Sequence, residues 1–204
     1  MISDYKIAKK KLLTDSDDEC QQFFMQKGYG LEYGYSLLIN DEIEESERVF
    51  KINADSDIRA KWALYMISLI KGDVGEYPTY LTIRNFLEID LNILIHYCKG
   101  DYVEKIVRYA DFMFTINPEV YKFIGRVFYN NDLYEQAMFF LNRAKNYFYN
   151  DPELHYLLAY IYNNRHDYVN AKKSAEDCLR VLPNYFPACD MLIRVTKRLK
   201  ALGH

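Results

Sequence analysis

Residues 118–184 read PEVYKFIGRVFYNNDLYEQAMFFLNRAKNYFYNDPELHYLLAYIYNNRHDYVNAKKSAEDCLRVLPN. This stretch decides the fold, because it holds two segments in one register and that register reaches back to a third. Tyr102, Tyr134 and Tyr168 lie 32 and 34 residues apart. Nine residues before them stand Ile93, Gly125 and Ala159; three residues after stand Lys105, Ala137 and Ala171; ten after stand Phe112, Ala144 and Cys178. Self-similarity at this period marks stacked helical hairpins, since one hairpin alone cannot bury its apolar face.

Helix punctuation agrees with the register. Asn117-Pro118-Glu119 and Asp151-Pro152-Glu153 each predict a capping side chain, a proline at the first helical position and an acidic residue at the positive helix end. Each first helix then runs to a short turn, Lys99-Gly100-Asp101, Asn130-Asn131-Asp132 or Arg165-His166-Asp167. Gly or Asn there suits a left-handed helix stop, and the aspartate suits a cap for the next helix. A second helix of about fourteen residues follows each turn, and Leu182-Pro183-Asn184 stops the last one.

The first half carries the same plan in looser form. Asp41 and Asp73 mark two more turns, and the spacing predicts helices over about 29–39, 42–53, 57–71 and 76–88. Gly75 and Pro78 disturb the start of the fourth. Residues 78–98 read equally as one long helix or as two short ones broken near Asp90. Residues 185–201 predict a terminal helix with Met191, Leu192, Val195 and Leu199 at helical spacing. No strand alternation, glycine-rich stretch or low-complexity linker interrupts the series.

These residues resemble the tetratricopeptide repeat family. The match is fullest over His155, Leu158, Ala159, Tyr162, Tyr168, Ala171, Cys178 and Pro183, and the preceding repeat supplies Tyr121, Ile124, Gly125, Phe128, Tyr134, Ala137 and Ala144. The resemblance covers 118–184 closely, 86–117 less so, and the N-terminal third mainly through turn placement and Trp62. It implies an all-α fold: a right-handed superhelical solenoid of about five hairpins with a C-terminal capping helix. The expected organisation is one helical-repeat domain over 1–204, with degenerate hairpins at 15–85, three repeats at 86–184 and the cap at 185–204. The small residues allow close helix approach, Gly125 against Ala137 and Ala159 against Ala171. Lys105 departs from that pattern, which predicts either altered packing of the 86–117 hairpin or a lysine that snorkels outward.

Bulk properties narrow the function. Half of the 204 residues are apolar, 20 are tyrosines, and the net charge is -3. That balance disfavours a nucleic-acid binder driven by phosphate attraction. Acid gathers at Asp41, Glu42, Glu44, Glu45 and Glu47, and base at Arg194, Lys197, Arg198 and Lys200. Such runs are ordinary solvated faces, although opposite charge at the two ends would also favour head-to-tail self-association. Cys20, Cys98, Cys178 and Cys189 form no CxxC pair and no metal spacing, and Cys178 reads as a small buried residue. The start, Met1 to Leu13, lacks the pattern of a secretory signal, and the apolar stretch Trp62 to Ile70 is too short for a bilayer. A soluble, cytoplasmic protein without membrane contact is the expectation.

His96, His155, His166 and His204 are scattered, with no HExxH, nucleophile elbow or phosphate loop. His96 and His155 read as packed or half-buried. No enzyme activity, cofactor or metal is therefore expected. In the family, first helices line a concave groove that receives a peptide or partner helix. The resemblance thus implies a partner-binding face of Lys122, Arg126, Tyr129 and Asn130, then Tyr156, Tyr160, Asn163 and Asn164, and on the terminal helix Asp190, Arg194 and Lys197. Some relatives clamp the carboxylate of chaperone tails. Here Lys122 fits that clamp, but Arg126, Leu157, Pro187 and Met191 replace its other members, so chaperone-tail binding is not expected. The implied function is a protein-interaction scaffold. A small cytoplasmic chaperone for a secreted protein is one version of it, and a helical-repeat RNA binder is the competing class.

Overall fold

The structure is a computed structural model describing residues 10–12, 14, 18–74 and 78–203. Gly75, His204 and most of the segment Met1 to Leu13 lie outside the described residues. The described helices are α1 (Asp18–Lys27), α2 (Gly30–Ile39), α3 (Ile43–Asn53), α4 (Ile58–Lys71), α5 (Tyr80–His96), α6 (Gly100–Val107) and α7 (Ala110–Ile116). They continue as α8 (Val120–Asn130), α9 (Tyr134–Lys145), α10 (Pro152–Asn164), α11 (Tyr168–Val181) and α12 (Phe186–Ala201). The chain divides into two compact units, residues 1–117 and 118–204. Both are all-α and are made of helical hairpins packed on their sequence neighbours.

One stop signal ends six of the described helices. Gly28, Asp41, Gly72, Cys98, Asp132 and His166 all take left-handed φ values between 56° and 85°. After each, the next N–H reaches back to a carbonyl five residues earlier, as in Glu42 to Leu37 at 2.9 Å, Leu133 to Phe128 at 3.0 Å and Asp167 to Tyr162 at 2.9 Å. This closure satisfies a carbonyl that the helix leaves orphaned and turns the chain toward the next helix. The sequence places the left-handed residue on Gly100 or Asn; the structure places it on Cys98, Asp132 and His166. Caps differ also. Asp151 accepts from Leu154 N at 3.1 Å and Asp167 from Asn170 N at 3.1 Å, as their positions imply. Asp101 falls inside α6, and the N-cap of α9 is Leu133, without a side-chain cap bond.

In unit 1 the first hairpin is more regular than its sequence suggests. Gly34 lies seven residues before the left-handed Asp41, the same offset as Gly125 before Asp132. A Cβ on Gly34 would sit 2.5 Å from the Phe50 ring, and one on Gly125 would sit 2.7 Å from Leu141 Cγ. Phe50 and Leu141 each stand nine residues after the stop, so both hairpins close on the same contact. Gly125 therefore owes its small size to Leu141, one turn beyond the expected Ala137.

The stretch 78–98 resolves to one helix. Thr79 caps it, accepting from Thr82 N at 3.1 Å, which delays the start to Tyr80. No break occurs at Asp90, because that side chain is fully buried and its carboxylate accepts from the Tyr35 hydroxyl. The second helix expected after Asp101 is split into α6 and α7 at a tight turn where Tyr109 N bonds Ile106 O at 3.0 Å. Lys105 is exposed and lies over the Tyr102 ring at 5.8 Å, the outward alternative. Asn117 does not cap α8: it is buried and donates to Tyr80 O at 3.3 Å, and α8 begins only at Val120, with Glu119 at its N-cap.

Unit 2 consists of α8–α9, α10–α11 and α12. Ala159, Ala171, Ala175, Met191 and Val195 form its innermost cluster, with Leu192 and Leu199 packed on the outside. The terminal helix thus buries the seam of the last hairpin with the residues its periodicity marks. Burial of Met191 and Val195 contributes about 1.5–3 kcal/mol each. Cys178 is buried, and burial pushes its thiol up to about 11, consistent with a packing residue and not a nucleophile.

Candidate functional site

All eleven expected partner-binding residues fall in unit 2, on α8, α10 and α12, and α10 packs against both of the others. The tyrosines are the part that comes together best. Tyr129 and Tyr160 meet edge to face across α8 and α10, with centroids 5.3 Å apart. Tyr156 meets Tyr185 in the same way at 5.4 Å. Tyr129, Tyr156 and Tyr160 are half-buried, so each ring packs on one side and remains open on the other. Burial, followed by neighbouring phenols, raises the Tyr129 hydroxyl well above its ordinary range. Burial also raises Tyr156, with the nearby Arg194 charge pulling the other way. Both hydroxyls therefore stay neutral donors at physiological pH.

The cations divide into two groups. Lys122 is buried, and its ammonium is held by Glu119 at 2.8 Å and Asp151 at 2.7 Å. Burial opposes its charge, but those hydrogen bonds outweigh it and keep the ammonium above its ordinary range. Arg126 meets Glu153 at 2.9 Å and lies over the Phe123 ring at 5.7 Å. Both residues tie α8 to the start of α10. Arg194 and Lys197 are exposed on α12, and no carboxylate among the described residues pairs with them. Any charge that this face offers to a ligand therefore sits at its terminal-helix end.

The amides take intermediate positions. Asn163 Oδ1 accepts from Arg198 at 3.0 Å, which links α10 to α12, and Asn164 and Asn130 are exposed at helix ends. Reading the sequence missed Tyr134, Tyr185 and Arg198 as neighbours of the face, as well as the carboxylates that neutralise Lys122 and Arg126. Glu119 was legible, standing three residues before Lys122 on the same side. Asp151 and Glu153 were legible as the acidic first turn of the next helix.

His155 is buried as expected. His96 is not: it is exposed near the end of α5, edge-on to Tyr97 at 5.0 Å. The first-helix position does not bury it, because α5 ends there. Among the described residues no group of three or more His, Cys, Asp or Glu side chains could hold a metal, and no described helix is long and apolar enough to cross a membrane.

No protein-family profile matches the sequence, and no curated protein does. Among solved structures, the chain is similar to one described as the crystal structure of APC/C hetero-tetramer Cut9-Hcn1. Identity is 15%, the TM-score is 0.43, and the alignment spans 87% of this chain and 39% of that chain.

Proposed function

We propose that the protein is a non-enzymatic interaction scaffold, and that unit 2 docks an extended peptide or a helix of a protein partner across α8, α10 and α12. The observation that carries this reading is the half-open tyrosine row Tyr129, Tyr160 and Tyr156, flanked by the exposed cations Arg194 and Lys197, which outnumber Asp190 on the same helix. Tyrosines of this kind supply large contact area with few rotatable bonds and a hydroxyl for hydrogen bonding. A complementary partner presents apolar or aromatic side chains to the tyrosines and an acidic group to α12. Asn130, Asn163 and Asn164 stand where they can meet a partner's backbone. Lys122 and Arg126 serve such a face by fixing α8 against α10, since their charges are already satisfied. A cytoplasmic setting suits this role.

The test is a peptide-display selection on immobilised wild-type protein, repeated on the Tyr156→Ala/Tyr160→Ala double variant. Neither ring is fully buried, so the variant should keep its helical circular dichroism and lose at least tenfold in affinity for the selected peptides. Equal binding by a folded double variant would move docking off this face.

A further inference from the structure

The terminal helix α12 buries one side in unit 2 and leaves the opposite side bare. Ala188, Met191 and Val195 form the buried side. At about 100° per residue, Phe186, Asp190, Ile193, Lys197 and Lys200 all fall within about 40° of the opposite line, and all five are exposed. Two of them are large and apolar, Phe186 at 80% and Ile193 at 55% exposure. The repeat register identifies this face. Ile193 stands 34 residues after Ala159, which stands 34 after Gly125. A Cβ on Gly125 would meet Leu141 of α9, and Ala159 is buried with Ala171 and Ala175 of α11. In both hairpins this position lies under the following helix. In α12 it carries a bulky apolar side chain, and no described helix covers it.

Side-chain order points to a helix as the occupant and to a second copy as its source. The five residues follow one another at intervals of four, three, four and three positions, the spacing of a seam between two paired helices. Charge then selects among helices. Asp190 is the only carboxylate side chain on α12. It stands three residues before Ile193, and Lys197 stands four residues after it. Seven residues span about 10.5 Å along the axis, too far for Asp190 and Lys197 to pair on one helix. Neither side chain meets an opposite charge among the described residues. Two copies of α12 turned antiparallel about Ile193 bring Asp190 of each opposite Lys197 of the other.

We propose that two copies of the chain associate through this face as an antiparallel, two-fold pair of α12 helices. Ile193 packs on Ile193 of the second copy at the axis, and Asp190 pairs with Lys197 on both sides of it. Phe186 covers the aliphatic stem of Lys200 at each end. A contact of one helix per subunit is at the small end of specific interfaces, so the association is reversible and weakens with salt. Arg194 stands about 80° round the helix from this line and stays available to the peptide face. Lys197 belongs to both faces, so dimerisation competes with an acidic group docked there. The pair itself does not rest on peptide docking.

The test is sedimentation velocity of the full chain from about 10 µM to about 1 mM, the range suited to an interface of this size. The sedimentation coefficient should rise with concentration from monomer to dimer and stop there. Ile193→Lys, at a side chain already exposed, should keep its helical circular dichroism and remain monomeric throughout. Asp190→Lys and Lys197→Asp should each weaken the dimer at least tenfold, because like charges then face each other. An equimolar mixture of those two variants should recover it, since each supplies the charge that the other lost. A monomer at every concentration overturns the proposal and leaves the face to a helix of another protein. A dimer of Ile193→Lys, or a mixture no tighter than its components, overturns it too. Growth past the dimer also overturns it and points to a head-to-tail contact.

Discussion

Replacing Asp90 by asparagine should remove from the protein a stability contribution that fades as pH rises. Asp90 lies fully buried within α5, bonded by the Tyr35 hydroxyl through Oδ1, while Oδ2 meets no donor among the described residues. Burial pushes its carboxyl from 3.8 up to about 7, although the Tyr35 hydrogen bond and the Arg59 charge pull it down. The folded state therefore binds this proton more tightly than the unfolded state. Its contribution to stability is fully present below about pH 4, falls as pH rises, and is lost above about pH 7. Each pH unit of that interval removes about 1.36 kcal/mol, so the whole loss amounts to about 4 kcal/mol. Other carboxylates work in the opposite direction: Asp41, bonded by Lys99 and Tyr102, and Glu47, bonded by Lys51 and Lys71, are held below their ordinary range. The quantity to follow is thus the difference between wild type and variant, in which those contributions cancel. The substituted amide keeps an acceptor for Tyr35 and cannot ionise. Urea unfolding at about pH 4 and about pH 8 should show the Asp90→Asn variant gaining on wild type by about 2–4 kcal/mol between them, the lower figure allowing for water reaching the site. A difference that stays constant across that range would falsify the view that the folded protein holds Asp90 protonated.

Three further substitutions test the packing. Ala171→Glu places a charge at the fully buried centre of unit 2 and should cost about 3–5 kcal/mol; a thermal melt matching wild type would show the hairpin register to be misassigned. Gly34→Ala drives a methyl group into the Phe50 ring and should cost about 1–3 kcal/mol despite alanine's better helix propensity, read as a lower urea midpoint. Cys98→Gly relieves a left-handed residue at φ 56° whose side chain is exposed; a gain of about 0.5–1 kcal/mol is expected, and a loss would mean that the thiol makes a contact the helix stop depends on.

Much of this fold was legible because it is written in local chemistry. The Asp151-Pro152 start, the stop at Leu182-Pro183 and the apolar spacing of α12 are short-range signals, and each stands where the sequence places it. The first hairpin is harder to read because Ile43 stands after Asp41 where Tyr134 stands after Asp132. Counted from Asp41, it shows Gly34 and Ser46 where the α8–α9 hairpin has Gly125 and Ala137. The cap expected at Asn117 and the break that is one of two readings at Asp90 are both absent for one reason. Each has the chemistry of a cap or a break, yet tertiary contacts with Tyr80 and Tyr35 claim their side chains. The candidate face was legible as a helical spacing of tyrosines and amides. The state of its cations was not, because the pairs Lys122–Asp151 and Arg126–Glu153 join residues 29 and 27 positions apart.

Hydrogen exchange of the full chain, with and without a saturating selected peptide, tests the docking proposal most directly. Peptide binding should slow exchange in the last turns of α8 and α10 and along α12 around Arg194, leaving α9 and α11 unchanged. Protection confined to α9 and α11, or to residues 18–116, would contradict it.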